Sequence, residues 1–506
     1  MLLSGACASL PDGYDRAESH ALKDTTSTAL GLAGRDSLRA HAGQSGFRPL
    51  SSGVDALVVR MLLAEVAERS LDVQYYIWDD DLTGRLFANA LLRAADRGVR
   101  VRILIDDVGT KSNDETLLTL DSHPSIEIRL FNPVASRTFR GLGMLTDFSR
   151  VNRRMHNKVF VADNQRAVLG GRNIADEYFD ASGDVAFADL DVLTMGPVVA
   201  DVSKAFDTYW NAPGSIPIGA LTGRLGAAAN LDTLRTMLAA FVQGQHDTDY
   251  VSYARSTVAQ SLAAGAKDTF WGRAHVVVDD PAKVTRPPED TLGHLLPQLA
   301  RVGVQLRSEL LIVSPYFVPG EAGVAALAAL VQRGVRVAVL TNSLAATDVG
   351  AVHAGYKRYR EALVDGGVRL YEMKPDAIAY GRTKEKDRQI SGSRASLHAK
   401  TFVFDRRAVF IGSLNLDPRS VQLNTEIGLV CESEPMASDL AGRFESAIAK
   451  VAWRVERSTD ADGKPRLVWT ETTAAGTVRH RNEPEVSAWR QFGMWFLGLL
   501  PIESQL

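Results

Sequence analysis

The sequence predicts an α/β protein made of two related halves, each a βα sandwich whose mixed sheet is flanked by helices. The chain has 506 residues, which is more than a single hydrophobic core usually holds. An order of strand, helix and strand occurs twice, and the joint Arg-Gly-Val-Arg-Val at residues 97–101 recurs at residues 333–337. Together these observations indicate a duplication folded with approximate two-fold symmetry.

The elements of the first half follow from the spacing of its apolar residues. Residues 56–69 and 82–96 have the 3.6-residue period of helices. Residues 71–78 form a short apolar run, and residues 99–105 alternate as a strand does. Strands that alternate with helices favour a sheet with parallel strands and helices on its faces.

The same signals return in the second half, where we expect strands over 310–316 and 335–340 and a helix over 322–332. An Ala-rich block with helical spacing separates the halves, and the N-terminal region lacks any period. The predicted boundaries are an N-terminal tether over 1–50, a first half over 51–215, a helical insertion over 216–300, a second half over 301–455 and a C-terminal extension over 456–506.

Charge and cysteine content exclude several classes of protein. Lys and Arg number 57 against 60 Asp and Glu, a formal net charge of -3, so the bulk positive field of a general nucleic-acid binder is absent. The two cysteines, Cys7 and Cys431, are too few for a disulfide framework or a cysteine-based metal site. Cys431 lies in an apolar run and is expected to be a buried strand residue.

Both halves contain the motif His-x-Lys-x4-Asp, followed by a pair of small residues and an asparagine. One match to so short a motif is an ordinary chance event. Two matches at corresponding places in two matching halves favour a function over a purely structural role. The two copies comprise His156, Lys158, Asp163 and Asn173, and His398, Lys400, Asp405 and Asn415.

The spacing within the motif has a chemical meaning. Residues two apart on a strand point to the same face, so each copy presents an imidazole beside a fixed positive charge. Two-fold symmetry can bring both copies to one cleft. Such a site suits a phosphodiester, because one histidine can attack phosphorus, the other can protonate the leaving alcohol, and the lysines can neutralise the non-bridging oxygens. This chemistry requires no metal and no other cofactor.

With these motifs the chain resembles the phospholipase D superfamily, whose members carry one copy in each half, and within it the bacterial cardiolipin synthase C branch. The resemblance covers nearly all of residues 45–506 and implies a duplicated phospholipase D fold and a covalent phosphohistidine intermediate. The segments that resemble the branch are 71–78, 147–158, 170–173, 341–356 and 415–426.

The resemblance also implies a role for each site residue. His156 is the expected nucleophile and His398 the expected acid and base, although the motifs leave the reverse assignment open. Lys158 and Lys400 are expected to neutralise charge, and Asn173 and Asn415 to contact the phosphate. Asp189 and Glu426 are expected to orient the histidines, with Asp191 as the alternative to Asp189. Asp163 and Asp405 complete the motif, and we expect them to brace its strand and turn.

The function implied by the resemblance is a phosphatidyl transferase that forms cardiolipin from phosphatidylglycerol and a second phospholipid, either phosphatidylethanolamine or phosphatidylglycerol. A hydrolytic phospholipase D that releases phosphatidic acid is the nearest alternative, because the same residues can use water as the second nucleophile. A phosphodiesterase acting on nucleic acid is disfavoured by the net charge. A non-catalytic membrane scaffold would be expected to have lost one motif. The expected partners are phospholipids and a membrane surface, without nucleic acid.

Three further features bear on membrane association in a bacterial cell envelope. No run of 18 apolar residues occurs, so no membrane span is predicted. Residues 1–7 resemble the end of a lipoprotein signal, which would lipidate Cys7; a frayed terminus with a stray cysteine is the alternative. Five arginines among apolar residues within 137–154 are expected either to contact lipid or to lie in a solvated loop with a few core anchors. The apolar segment 489–500 is expected either to lie in a membrane interface or to pack on the core.

Overall fold

Strands run through both halves of the chain in this computed structural model. In chain order they are β1 (Ser45–Leu50), β2 (Ser70–Tyr75), β3 (Arg100–Asp106), β4 (Ile126–Phe131), β5 (Val159–Ala162), β6 (Arg166–Gly170), β7 (Val185–Ala188), β8 (Asp191–Met195), β9 (Ser215–Pro217), β10 (Phe270–Val278), β11 (Glu309–Val313), β12 (Arg336–Asn342), β13 (Arg369–Met373), β14 (Arg394–Leu397), β15 (Thr401–Phe404), β16 (Ala408–Gly412), β17 (Ile427–Glu432), β18 (Ala452–Thr459), β19 (Pro465–Thr473) and β20 (Gly476–His480).

Helices connect these strands. They are α1 (Ala29–Ala40), α2 (Gly53–Val66), α3 (Leu82–Asp96), α4 (Asp114–Asp121), α5 (Phe148–Val151), α6 (Val198–Trp210), α7 (Ile218–Thr222), α8 (Leu231–Gly244), α9 (Asp249–Ala264), α10 (Leu295–Arg301), α11 (Gly320–Gln332), α12 (Gly350–Lys357), α13 (Arg360–Asp365), α14 (Pro418–Gln422) and α15 (Glu434–Val451). The structure describes residues 10–110, 113–137, 140–141, 144, 147–182, 185–222, 230–264, 268–301, 306–377, 394–460, 462–473, 476–487, 489 and 491.

Eighteen of these strands form one mixed sheet in which the halves repeat the same order about a central pair, and β7 and β14 form a separate two-stranded sheet. The first half runs β9-β4-β3-β2-β5-β6-β8-β1, and the second runs β10-β17-β16-β15-β11-β12-β13-β18, extended by β19 and β20. The antiparallel pair of β1 with β10 joins them. β2, β3 and β4 are parallel, as are β11, β12 and β13. The duplicated α/β fold predicted from the sequence is therefore confirmed.

The repeated joint has the same conformation in both halves. Gly98 has φ +90° and Gly334 has φ +88°, and each follows the end of a helix and precedes a strand. This left-handed backbone is strained for a residue that carries a Cβ. The identical joint sequence thus marks the place where α3 turns into β3 and α11 into β12.

Three of the apolar clusters among the described residues hold the layers together. One packs α2 and α3 on the first-half sheet, and a second packs α11 and α13 on the second-half sheet. The third contains residues of both halves, among them Val161, Leu169, Val403 and Ile411, together with α6 and α15. Because this shared cluster joins the halves, the active-site elements of each half are held in a fixed position relative to those of the other.

Several segments contain more regular structure than the sequence indicated. β1 lies in the centre of the sheet, although residues 1–50 were expected to be a tether. The strand was missed because Arg48 and Pro49 interrupt the alternation of apolar residues that marks a strand. The segment predicted as a helical insertion contains α7, α8 and α9 but also β10, which pairs with β17, and the start of α10. The extension beyond 455 adds β19 and β20 to the sheet edge.

No helix within the described part of the chain has the length and apolar content to cross a bilayer. The apolar segment 489–500 falls, apart from Trp489 and Gln491, outside the described residues, and so does Cys7. Cys431 is fully buried in β17, as expected.

Candidate active site

The first histidine precedes β5 and is held by the second half. The His156 N–H donates to the Thr425 carbonyl at 2.9 Å. The residue before it, Met155, donates its N–H to Oδ2 of Asp106 at 2.9 Å, at the end of β3. A carboxylate at the end of a parallel strand therefore fixes the backbone from which His156 projects.

The second histidine is held in the corresponding way. β14 pairs in parallel with β7 of the first half, and the His398 N–H donates to the Ala188 carbonyl at 2.8 Å. The side chain of Asn342, at the end of β12, accepts from the Leu397 N–H at 2.9 Å and donates to the Leu397 carbonyl at 3.0 Å. Each motif strand is therefore bound on both sides, once by its own half and once by the other.

Each histidine is paired with a carboxylate of the opposite half. The Nδ1 of His156 lies 2.9 Å from Oε2 of Glu426, and the Nδ1 of His398 lies 2.6 Å from Oδ2 of Asp189. An ionised carboxylate accepts from N–H, so this arrangement assigns the imidazole proton to Nδ1 in both rings. Each Nε2 then carries the free electron pair.

The motif lysines lie beside the histidines and share one site. Lys158 Nζ donates to the His156 carbonyl at 2.6 Å, and Lys400 Nζ donates to the His398 carbonyl at 2.6 Å. Lys400 Nζ also lies 3.0 Å and 3.1 Å from the two ring nitrogens of His398. Because Lys400 lowers the pKa of His156 and Lys158 lowers that of His398, the two copies act on each other across the site.

Burial keeps both imidazoles neutral near pH 7. Desolvation, followed by the two lysine charges, lowers the pKa of His156 well below its ordinary value. Desolvation and Lys400 lower the pKa of His398 to about 4, against the opposing effect of Asp189. Desolvation also lowers the pKa of Lys400 to about 8. A neutral imidazole is the nucleophilic form, and cations this buried are stabilised by an anion placed between them.

The two orienting carboxylates differ in their electrostatics. Burial raises the pKa of Glu426 to about 7, although Lys158 and other groups lower it. Burial also acts to raise the pKa of Asp189, but His398, Lys400 and Arg172 outweigh it and hold that pKa at about 2. Asp189 is thus firmly ionised at neutral pH, whereas Glu426 is close to its midpoint.

This difference predicts opposite effects on stability. Since the folded-state pKa of Glu426 lies above that of an unfolded glutamate, parent stability falls as pH rises from about 4.5 through 7. The Glu426→Gln variant should therefore become more stable relative to the parent across that window, by up to about 3 kcal/mol. Asp189 has a depressed pKa and stabilises the fold above about pH 4, so Asp189→Asn should be less stable at neutral pH. Thermal unfolding from pH 5 to pH 8 measures both effects. If the stability of Glu426→Gln relative to the parent falls as the pH rises, the raised pKa of Glu426 is contradicted.

The asparagines after each motif retain unpaired polar atoms. The Ile77 N–H donates to Oδ1 of Asn173 at 3.2 Å, and Nδ2 of Asn173 is buried without a partner within the described residues. Oδ1 of Asn415 is likewise buried and unpaired there. Buried amide groups without partners are costly, and a bound polar ligand would satisfy them.

The motif aspartates lie at the far ends of their strands. Asp163 accepts from the backbone N–H groups of residues 68–70, at 2.7–3.3 Å. Asp405 accepts from those of residues 307–309, each at 2.8 Å. Both side chains therefore brace the turn before β2 or β11 and are not turned toward the histidines. The rival acid Asp191 is also remote, because it pairs with Arg60 at 2.8 Å.

Both halves of the chain match a known protein family. The family described as cardiolipin synthase, PLD-like domain matches residues 62–210 and 303–448, one segment in each half. The chain belongs to this family. It is a phospholipase D-type enzyme, as the sequence predicted.

Individual relatives resemble it over most of their length. Cardiolipin synthase C of Escherichia coli (strain K12) is 43% identical over 478 residues, which cover 92% of this chain and 96% of that protein. Cardiolipin synthase B of Salmonella typhimurium is 26% identical over 425 residues, with 84% of each chain covered. The crystal structure of phosphatidylserine synthase from Haemophilus influenzae has the same fold, with a TM-score of 0.56 at 13% identity over 94% of this chain.

In this family member the arginines before His156 bind groups of the protein itself. Arg154 is buried and lies 3.0 Å from Asp106, so it supports the motif strand. These arginines were expected either to contact lipid or to lie in a solvated loop with a few core anchors, and their contacts within the protein favour the second alternative. Phe139, Leu142 and Leu145 fall outside the described residues. The contacts are Arg137 with Asp107 and Asp114, Arg140 with Asp114, Arg150 with Asp147, and Arg153 with the Arg286 carbonyl.

Sequence reasoning missed the groups that hold the motif strands. Asp106 and Asn342 were not singled out, although each is a polar residue at the end of a predicted parallel strand, where α/β sites form. It also missed the aromatic neighbours of the histidines. Tyr76 lies with its ring centre 5.2 Å from that of His156, and Tyr178 and Phe187 each lie 5.0 Å from His398.

Proposed function

We propose that this chain is a phosphatidyl transferase that forms cardiolipin from phosphatidylglycerol and a second phospholipid through a phosphohistidine intermediate. The observation that carries the proposal is the pair of buried histidines, each oriented by a carboxylate of the other half and accompanied by two lysines. The 43% identity to cardiolipin synthase C over 92% of the chain supports the choice of substrate class.

The reaction consists of two displacements at phosphorus. Nε2 of His156 attacks, a P–N bond forms, the P–O bond to the leaving alcohol breaks, and His398 supplies the proton to that alcohol. In the second step an incoming glycerol hydroxyl gives its proton to His398, its oxygen attacks phosphorus, and the P–N bond breaks. The phosphodiester anion between the lysines offsets their effect on His398, which favours the protonated form that the first step needs.

Positioning residues serve the same two steps. Lys158 and Lys400 neutralise the non-bridging oxygens, and Asn173 and Asn415 donate to them from their Nδ2 amide groups. Asp189 and Glu426 keep the imidazole proton on Nδ1. Asp163 and Asp405 act from a distance by fixing the strands.

Analysis of products tests the proposal. The purified chain is given phosphatidylglycerol vesicles with and without phosphatidylethanolamine, and lipids are identified by mass spectrometry. Cardiolipin in either mixture is the expected result, and the headgroup released identifies the donor. Phosphatidic acid as the sole product would show a hydrolytic phospholipase D, and cleavage of nucleic acid with no lipid turnover would contradict the proposal.

We expect turnover without an added metal ion, because the lysines supply the charge that a metal would otherwise supply. Exhaustive EDTA treatment should leave the rate unchanged. An activity that is lost and then restored by one divalent ion would contradict this. Water-soluble short-chain phosphatidyl esters serve as the control for effects of Mg²⁺ on lipid packing.

Because its proposed substrates are membrane phospholipids, the chain is expected to act at a membrane surface of the bacterial cell envelope. Membrane fractionation of cells that express the chain, compared with a Cys7→Ala variant, tests whether lipidation at Cys7 contributes. If the parent and Cys7→Ala are divided in the same way between membrane and soluble fractions, lipidation at Cys7 does not contribute to membrane association.

A further inference from the structure

A buried aspartate between the two halves holds the backbone of Glu426. The Oδ2 of Asp279 accepts from the Glu426 N–H at 2.8 Å, and the Asp279 N–H donates to the Glu426 carbonyl at 3.0 Å. Its Oδ1 accepts from the Leu295 N–H at 2.7 Å, and the Tyr209 hydroxyl donates to its carbonyl at 2.7 Å. One residue thus binds both backbone polar groups of Glu426.

Lys283 forms a buried ion pair with this aspartate. Its Nζ lies 3.0 Å from Oδ2 of Asp279 and donates to the Ser420 carbonyl at 3.0 Å. The lysine stands on a helical turn, Pro281–Val284, that Asp280 caps. A buried ion pair is weak evidence of a contribution to stability, so its position beside Glu426 needs another explanation.

The charges around Glu426 control its protonation. Burial raises its pKa, whereas Lys158, the Ser413 side chain, Lys283 and Lys400 lower it. The other titratable groups that interact with it are Asp279, Asp417, Tyr76 and His156. Lys283 is the cation among these that comes from the segment between the halves.

The first half supports Asp189 with a different buried pair, in which Arg172 lies 3.5 Å from Asp191 and donates to the Asp189 carbonyl at 2.9 Å. The two halves can be aligned on the strand pairs β1–β8 and β10–β17, with Asp189 matched to Glu426. In this alignment Ser52 occupies the position of Asp279. The Ser52 hydroxyl caps α2 and does not contact Asp189. The Asp279–Lys283 pair is therefore specific to the carboxylate that faces His156.

We propose that Asp279 and Lys283 are positioning residues, of which Asp279 fixes the backbone of Glu426 and Lys283 favours its ionised form, so that His156 carries its proton on Nδ1 and presents a free Nε2. A protonated Glu426 would donate to Nδ1, the imidazole proton would then reside on Nε2, and attack on phosphorus would be blocked. The inference rests on the proposed function for that attack. It gives the segment between the halves a part in the reaction.

Kinetics of Lys283→Met test this inference. We expect kcat to fall about tenfold or more with KM changed less than about twofold, because positioning and not binding is lost. The acidic limb of the kcat profile should move to higher pH by about one unit, because loss of a nearby cation raises the pKa of Glu426. Lys283→Arg should restore the parent profile.

The matched control is Lys374→Met, which removes a lysine from its ion pair with Glu471. It should alter stability without moving the pH profile. Lys283→Gln keeps a hydrogen-bond donor for Asp279 and is the second test variant if Lys283→Met does not fold.

A second readout requires no turnover. In the full chain labelled with ¹⁵N-histidine, the Nδ1–H signal of His156 is identified by its loss in His156→Ala. As the pH is lowered and Glu426 becomes protonated, we expect this signal to be lost at a higher pH in Lys283→Met than in the parent. If a folded Lys283 variant keeps both the parent pH profile and the parent signal, the inference is overturned. A parent without lipid turnover contradicts the proposed function, and the NMR comparison then decides on Lys283 by itself.

Discussion

Replacement of His156 or His398 by alanine is expected to reduce turnover by at least about 10²-fold while the protein stays folded. Each histidine has a separate and necessary role, one as nucleophile and one as acid and base. Each histidine is buried against one carboxylate, so its alanine variant leaves that carboxylate without its histidine partner and is expected to lose some stability without unfolding. Initial rates of lipid turnover, with thermal unfolding as the control for folding, measure this.

The contrast between the two variants adds information. With a substrate whose leaving group needs no proton, His398→Ala should recover part of the first step and His156→Ala should not. If either alanine variant keeps more than a few per cent of parent turnover on lipid, by the same scale of acid–base loss, the paired-histidine mechanism is wrong.

Loss of either orienting carboxylate should have the next largest effect. We expect Glu426→Gln and Asp189→Asn to lower kcat by about 10²-fold to 10⁴-fold, because each amide lacks the negative charge of the carboxylate and can donate to Nδ1, so that the imidazole proton is no longer held there. The distances of 2.9 Å and 2.6 Å to the histidines of the opposite halves make this a test of the contact between halves.

Double variants distinguish crossed pairing from pairing within a half. Residues that act as a unit are strongly non-additive. Glu426→Gln should add little to His156→Ala, and Asp189→Asn should add little to His398→Ala. Activities are compared with the residual rate of the alanine variants on an activated ester, and full additivity in both pairs would contradict the crossed arrangement. Asp163→Asn is the control, since it perturbs the same strand as His156 without touching the ring.

The local features of this protein could be predicted from its sequence. The helix at 82–96 and the repeated joint follow from apolar spacing and from the glycine that ends a helix. The two motifs follow from residues close together in the chain. Identification of their chemistry needed only the period of a strand, which places His and Lys on one face.

The long-range features could not be predicted in this way. Nothing local shows that Glu426 serves the histidine 270 positions earlier, or that β7 pairs with β14. β1 lay in a segment without a clear period and β10 in a segment predicted to be helical, and both became strands because each completes the sheet of a half. Asp191 and Asp189 could not be separated by spacing, because only the pairing of β8 decides which of them faces the site.

The most direct test of the central claim is to trap the covalent intermediate. His398→Ala is mixed with a short-chain phosphatidyl ester of 4-nitrophenol, whose leaving group departs without a proton, and the chain is digested at neutral pH because phosphohistidine is labile to acid. If His156 is the nucleophile, we expect a burst of about one nitrophenol per chain, as is seen when an intermediate accumulates. We also expect a phosphatidyl adduct on the peptide that contains His156. An adduct on His398 in the His156→Ala variant, or turnover with no adduct on either histidine, would contradict this mechanism.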